Sequence, residues 1–199
     1  MHLDLVTMSA VNIVVTAILG VVLVLTWARE RENAFIGWWG LAQLIQSVGI
    51  LIAAITSAMN AGDLVALGSA TMLLAESLKW KAAREFESRT LPWPLVVAGP
   101  IAYLGLVFSG SIVSFDTRIL LGSTMVGLYN LAAACELARG KDERLVSRKP
   151  AIALLIATAV SQLSWLFLIL IEPFGEAGQV YMSDWFPIVL IITLSLRVA

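Results

Sequence analysis

The sequence predicts an all-α membrane protein: a bundle of seven transmembrane helices, amino terminus outside, carboxyl terminus in the cytoplasm. Three observations carry this expectation. Of 199 residues, 59% are hydrophobic and 14% charged, against roughly 45–50% and about 25% in an ordinary globular domain. The apolar residues gather in continuous runs close to the ~20 helical residues that a hydrocarbon core of about 30 Å requires. The basic residues fall almost wholly between alternate runs. Mean hydropathy of +0.89 agrees. This composition excludes a soluble enzyme and a disordered chain. Thirteen Lys and Arg against fourteen Asp and Glu leave no basic excess for a nucleic acid. The first partner is the lipid bilayer.

In chain order the runs cover 5–27, 35–59, 64–80, 95–113, 119–137, 151–171 and 185–199. The first is no cleavable signal: no basic region precedes it, and it exceeds the usual apolar length of about 7–15 residues. Continuous rather than alternating apolarity argues against barrel strands. Pro92 and Pro94 flank Trp93 and stop the third segment from running straight into the fourth. The last run has 15 residues and as a helix reaches only about 22 Å. It becomes long enough by starting near Val180, with Asp184 in its outer turn. The expectation is that the natural protein continues past Ala199 into the cell.

Orientation follows from the charges. Twelve of the thirteen basic residues lie in the first-to-second, third-to-fourth and fifth-to-sixth connections or at Arg197; only Arg118 falls on the opposite side. Basic residues mark the cytoplasmic face. Trp27, Trp38, Trp39, Trp80 and Trp93 sit at the inner ends of spans, where amphipathic rings favour the headgroup layer. The organisation is one domain, 1–199. A weak internal repeat pairs Ala28–Arg31 with 138–141, Gln46 with Gln162, and Asp63 with Asp184. It suggests a parallel three-plus-one-plus-three duplication.

Catalytic signatures are absent. There is no H-E-x-x-H, G-x-S-x-G or Walker A sequence, and the single histidine is His2. One cysteine, Cys135, excludes an internal disulfide framework. No metal and no cofactor are expected, and the chain itself is not expected to be an enzyme. All four lysines, at 79, 81, 141 and 149, lie towards the cytoplasmic face, so no retinal Schiff base can form on the seventh helix.

The polar residues inside spans are the candidate site. Gln43 and Gln46 share a face of the second helix. Gln162 sits at comparable depth on the sixth, Asn12 and Thr16 line the first, and Asn130 lies on the fifth. In lipid such groups must find partners. They either bridge helices or form the polar floor of a ligand cavity open to the outside, with Trp165 as wall and Tyr181 or Asp184 closing its mouth. The connection from Glu172 to Asp184 could serve as a lid. Glu76 and Glu136, each about one turn from a cytoplasmic end, are the two carboxylates inside apolar segments. With Arg84 they are candidates for signal transfer; the plainer alternative is an interface charge, Glu76 paired with Lys79. Gly62, Ala66 and Ala70 recur every fourth position and suggest a close helix contact.

Trp80, Arg84, Phe86 and Arg89 stand in KWKAAREFESR after the third apolar helix, and Trp38-Trp39-Gly40 opens the second span. With seven spans and a cytoplasmic end, the chain resembles the amino-terminal membrane sensor of bacterial diguanylate cyclases, in which W-x3-R-x-F-x2-R often follows the third helix. The resemblance covers the whole chain. It implies a multi-pass protein of the bacterial inner membrane and a seventh helix leading to a GGDEF domain that makes cyclic di-GMP. It also implies a homodimer formed through that helix and the cytoplasmic part. The GGDEF motif is not in this sequence, and similar heads precede histidine kinases. The expected function is a sensory input domain for an unidentified small molecule, lipid or membrane cue. The alternative is a small transporter of a polar or cationic solute.

Overall fold

The computed structural model describes residues 5–59, 61–112, 114–140 and 148–171. The seventh span, the connection before it, Tyr181 and Asp184 lie outside the described residues. Six helices form: α1 (Leu5–Arg29), α2 (Ala34–Ala58), α3 (Val65–Phe86), α4 (Trp93–Phe108), α5 (Phe115–Arg139) and α6 (Arg148–Ile171). In α1, α2, α5 and α6 the apolar stretch is long enough to cross a membrane.

Local chemistry sets the ends. Pro92 is extended and Pro94 falls in the first turn of α4, where a missing N–H costs no hydrogen bond. Ser114 caps α5, its hydroxyl accepting from the Thr117 N–H at 3.2 Å. Two boundaries differ from the sequence expectation by five residues or more. The third helix does not stop at 80: Lys81-Ala-Ala-Arg-Glu are strong helix formers, and Lys81 pairs with Glu85 at 3.0 Å across one turn. It closes at Ser88, whose φ of 56° is left-handed, while the Arg89 N–H returns to the Arg84 carbonyl at 2.8 Å. The fourth helix ends at Phe108 instead of reaching 113, because Gly110, with φ of 73°, breaks it. At 16 residues it is about 24 Å long.

The helices pack α1 on α2, α2 on α3, and α6 on α5; α4 leans chiefly on α3. The central element is α3, which touches α2, α4 and α5. It runs parallel to α5, since Asp63 pairs with Arg118, Glu76 with Asn130, and Arg84 with Glu136. The seventh helix of the expected three-plus-one-plus-three plan falls outside the described residues, which contain six helices. The closest crossing joins α2 and α3. A Cβ on Gly68 would stand 2.7 Å from the Ala53 nitrogen and 2.8 Å from the Gly49 carbonyl oxygen. The expected close row is placed differently: Ala66 and Ala70 pack with Tyr103, Val107 and Val126, while a side chain on Gly62 would meet nothing.

Burial is inverted relative to a water-soluble bundle. On α1, Val11, Val14, Val15, Ile18, Val21, Val22 and Leu25 are exposed, whereas Asn12, Thr16 and Gly20 are buried against α2. On α2, Leu41, Val48, Leu51 and Ile55 face outward while Gln43, Gln46 and Ser47 face inward. Long apolar helices that hide amides and expose aliphatic side chains are what a hydrocarbon solvent selects.

Candidate functional site: a cavity, a buried ion pair and a guanidinium cluster

Of the described Lys and Arg residues, only Arg118 stands at the end where α2 turns into α3. A cavity of about 650 Å³ lies at that end, within the range of small-molecule sites. Ala53 and Ser57 of α2, Ala66, Ser69 and Leu73 of α3, Tyr103 of α4, Gly122, Ser123 and Val126 of α5, and Gln162 of α6 contribute its walls. Gly62 and Arg118 stand at its rim. The Arg118 guanidinium donates to Asp63 Oδ1 at 2.9 Å and to the Gly62 carbonyl at 3.2 Å. That pair ties the α2–α3 connection to α5 and neutralises the rim locally. What remains is a mostly apolar chamber with three hydroxyl-bearing serines, a phenol and an amide.

Among the candidate site residues singled out from the sequence, Gln162 lines this cavity, and Gln46, Gln43, Asn12 and Trp165 do not. All five are buried, and α2 and α6 do not pack on one another. The Thr16 hydroxyl donates to the Asn12 backbone carbonyl. Both side-chain ends of Asn12 and of Gln46, and Oε1 of Gln43, have no hydrogen-bond partner among the described residues. Among the described residues, neither the Asn12 nor the Gln46 side chain makes a hydrogen bond to another helix.

Midway along α3, Glu76 is 1% exposed. Its Oε1 accepts from Lys79 Nζ at 3.1 Å, and its Oε2 accepts from the Asn130 amide of α5 at 3.0 Å. Asn130 also donates to the Val126 carbonyl at 2.9 Å. The pairing with Lys79 follows the sequence expectation; the depth does not. Because α3 continues to Phe86, Glu76 lies well inside its helix instead of one turn from the end. The link to α5 is the contact that sequence spacing alone leaves invisible.

At the opposite end from the cavity, Glu136 in the last turn of α5 is buried amid three guanidinium groups. Arg89 donates to its Oε2 at 3.2 Å, and Arg139 and Arg84 approach its Oε1 at 3.5 and 3.8 Å. Arg84 Nε is buried without a hydrogen-bond partner. Glu85 and Glu87 are occupied, by Lys81 at 3.0 Å and by Arg148. Arg148 also donates to the Gly140 carbonyl, joining α6 to the α5 terminus. Lys81 lies 4.7 Å from the Trp38 ring centroid and 5.6 Å from that of Trp93, and the two rings meet edge to face at 5.5 Å. Here the W-x3-R-x-F-x2-R stretch joins four helices: Phe86 packs edge-on against Phe35 of α2, Trp80 meets Tyr129 of α5, and Lys81 lies over Trp93 of α4.

The cavity serines escaped the sequence reading although a signal was present. Val65, Ala66, Ser69, Met72 and Leu73 on α3, and Ile119, Gly122, Ser123 and Val126 on α5, each recur at three- and four-residue spacing. Ala66, Ser69, Gly122 and Ser123 among them are small residues on faces of parallel helices. Among the described residues no three His, Cys, Asp or Glu side chains gather to hold a metal ion. Compared with known proteins, the chain matches no family model, no curated protein and no solved structure.

Proposed function

We propose that the chain is the sensory input domain of a bacterial inner-membrane signalling protein, spanning the bilayer seven times with its carboxyl end in the cytoplasm. The single observation that carries this reading is the cavity of about 650 Å³ at the end opposite the basic residues. By the charge rule that end faces outward. Its walls suit a small, mostly apolar molecule with one or two hydrogen-bonding groups, met by Ser69, Ser123, Tyr103 and Gln162. Occupancy is read along α3 and α5, which share the cavity wall, the Glu76–Asn130 link and the Glu136 cluster. A signal requires the ligand to prefer one of two helix arrangements, because equal affinity shifts nothing. The resemblance of the KWKAAREFESR stretch points to a diguanylate cyclase as the output.

The test uses the gene's complete product, expressed in a bacterium and read by cellular cyclic di-GMP. Gly122→Trp fills the cavity from α5, where an added Cβ meets only the Tyr103 ring at 3.8 Å. The level is expected to differ from the empty-vector strain, and to change at least about twofold in the variant. Identical levels in vector, parent and variant strains refute the cyclase reading. Parent-dependent solute uptake that Gly122→Trp abolishes would favour the transporter instead.

A further inference from the structure

Glu136 carries one negative charge and is approached by three guanidinium groups, from Arg84 and Arg89 of the α3 terminus and Arg139 of α5. The cluster therefore has a net charge of two positive units by formal count. Its donors are underused as well. Arg89 hydrogen-bonds the carboxylate, Arg84 and Arg139 stand at 3.8 and 3.5 Å, and Arg84 Nε is buried and unpartnered. Among the described residues the acids of α3 and its terminus are already paired: Glu85 and Glu87 are held by Lys81 and Arg148, and Glu76 by Lys79.

We propose that the Arg84–Arg89–Arg139 cluster is a binding site for the phosphate group of an anionic phospholipid. Planar guanidinium forks match phosphate oxygens, two donors to two acceptors. The depth fits a headgroup. Trp38 and Trp93 lie at the same end of the bundle, and Trp93 is half exposed, as residues of an interfacial belt are. The site's openness is graded to match: the Arg84 side chain is 26% exposed, that of Arg89 48% and that of Arg139 64%. A headgroup would meet Arg139 and Arg89 first and reach the idle Arg84 Nε behind them. Glu136 gathers the three arginines and weakens the attraction at the same time, so its removal strengthens lipid binding. The site is independent of the cavity and of the sensor reading.

The test is native mass spectrometry of the detergent-solubilised protein titrated with phosphatidylglycerol or phosphatidylcholine. The parent is expected to bind the first phosphatidylglycerol about tenfold more tightly than phosphatidylcholine. Arg89→Gln with Arg139→Gln loses that preference while keeping its helical circular dichroism, since the two side chains are 48% and 64% exposed and Arg84 stays beside Glu136. Lys149→Gln, a charge at the same end outside the cluster, changes it little. Glu136→Gln raises it. An unchanged preference in the double variant overturns the proposal, as does an equal fall in Lys149→Gln. Displacement of phosphatidylglycerol by millimolar inorganic phosphate would make a soluble anion the ligand and overturn the lipid source.

Discussion

Glu76 and Lys79 form an ion pair inside an apolar bundle, and removing one partner has a calculable consequence. Their side chains are 1% and 8% exposed and the charges stand 3.1 Å apart. At an effective dielectric of about 20, such a pair attracts by roughly 5 kcal/mol, and loss of a buried partner typically costs about 3–5 kcal/mol. Glu76→Leu strands the Lys79 ammonium and takes one of two acceptors from the Asn130 amide. It is expected to destabilise by about 3–5 kcal/mol. Glu76→Leu with Lys79→Leu removes both charges, and its stability is expected to lie within about 1 kcal/mol of the parent. The assay is equilibrium unfolding in mixed micelles under an increasing fraction of denaturing detergent, followed by circular dichroism. A single variant within about 1 kcal/mol of the parent, or a double variant as damaged as the single, refutes the reasoning.

Other consequences follow from particular side chains. Gln46 buries both ends of its amide without a partner, so Gln46→Leu is expected to raise stability by about 1–3 kcal/mol in the same assay; a fall would show a hidden partner. Gly68→Ala drives a methyl group into the backbone of α2 and should cost about 1–3 kcal/mol less the ~1 kcal/mol of helix propensity gained. Gly122→Ala, whose added methyl makes only an ordinary contact with the Tyr103 ring at 3.8 Å, should keep that gain, and the two melting temperatures should move in opposite directions. Ser88→Gly relieves the left-handed φ at the end of α3 and should stabilise by about 1 kcal/mol. Asp63→Asn breaks an ion pair whose acid is 76% exposed, so its effect should stay within about 1 kcal/mol and shrink further in high salt.

The helices themselves were legible because span length is fixed by bilayer thickness and chain reversals by Pro, Gly and charge. Where the structure departs from the sequence expectation, the cause is local. Apolarity locates a hydrocarbon-crossing stretch, whereas a helix ends where its backbone does: α3 outlasts its apolar part through Lys81–Phe86, and α4 stops short at Gly110. The i, i+3 pair Glu76–Lys79 was visible because both partners lie on one helix. Asn130 to Glu76, Arg89 to Glu136 and Arg118 to Asp63 join residues far apart in sequence, and no spacing rule selects those partners from one chain. The amides drew attention as costly groups in lipid, yet only Gln162 reaches the cavity. Apart from Arg118, its other hydrogen-bonding side chains among the described residues are serines and Tyr103, which are cheap in a membrane helix and so carry little signal.

The proposed orientation opens the cavity outside the cell and turns the guanidinium cluster to the cytoplasm. The direct measurement is labelling of single-cysteine variants in intact spheroplasts with a membrane-impermeant maleimide. The background carries Cys135→Ser, because Cys135 is free and exposed. Ser57→Cys and Ser123→Cys, at the cavity wall, are expected to label without permeabilisation, and Ser88→Cys, beside the arginine cluster, only after it. The reverse pattern, or no labelling of either cavity position until the membrane is broken, contradicts the claim.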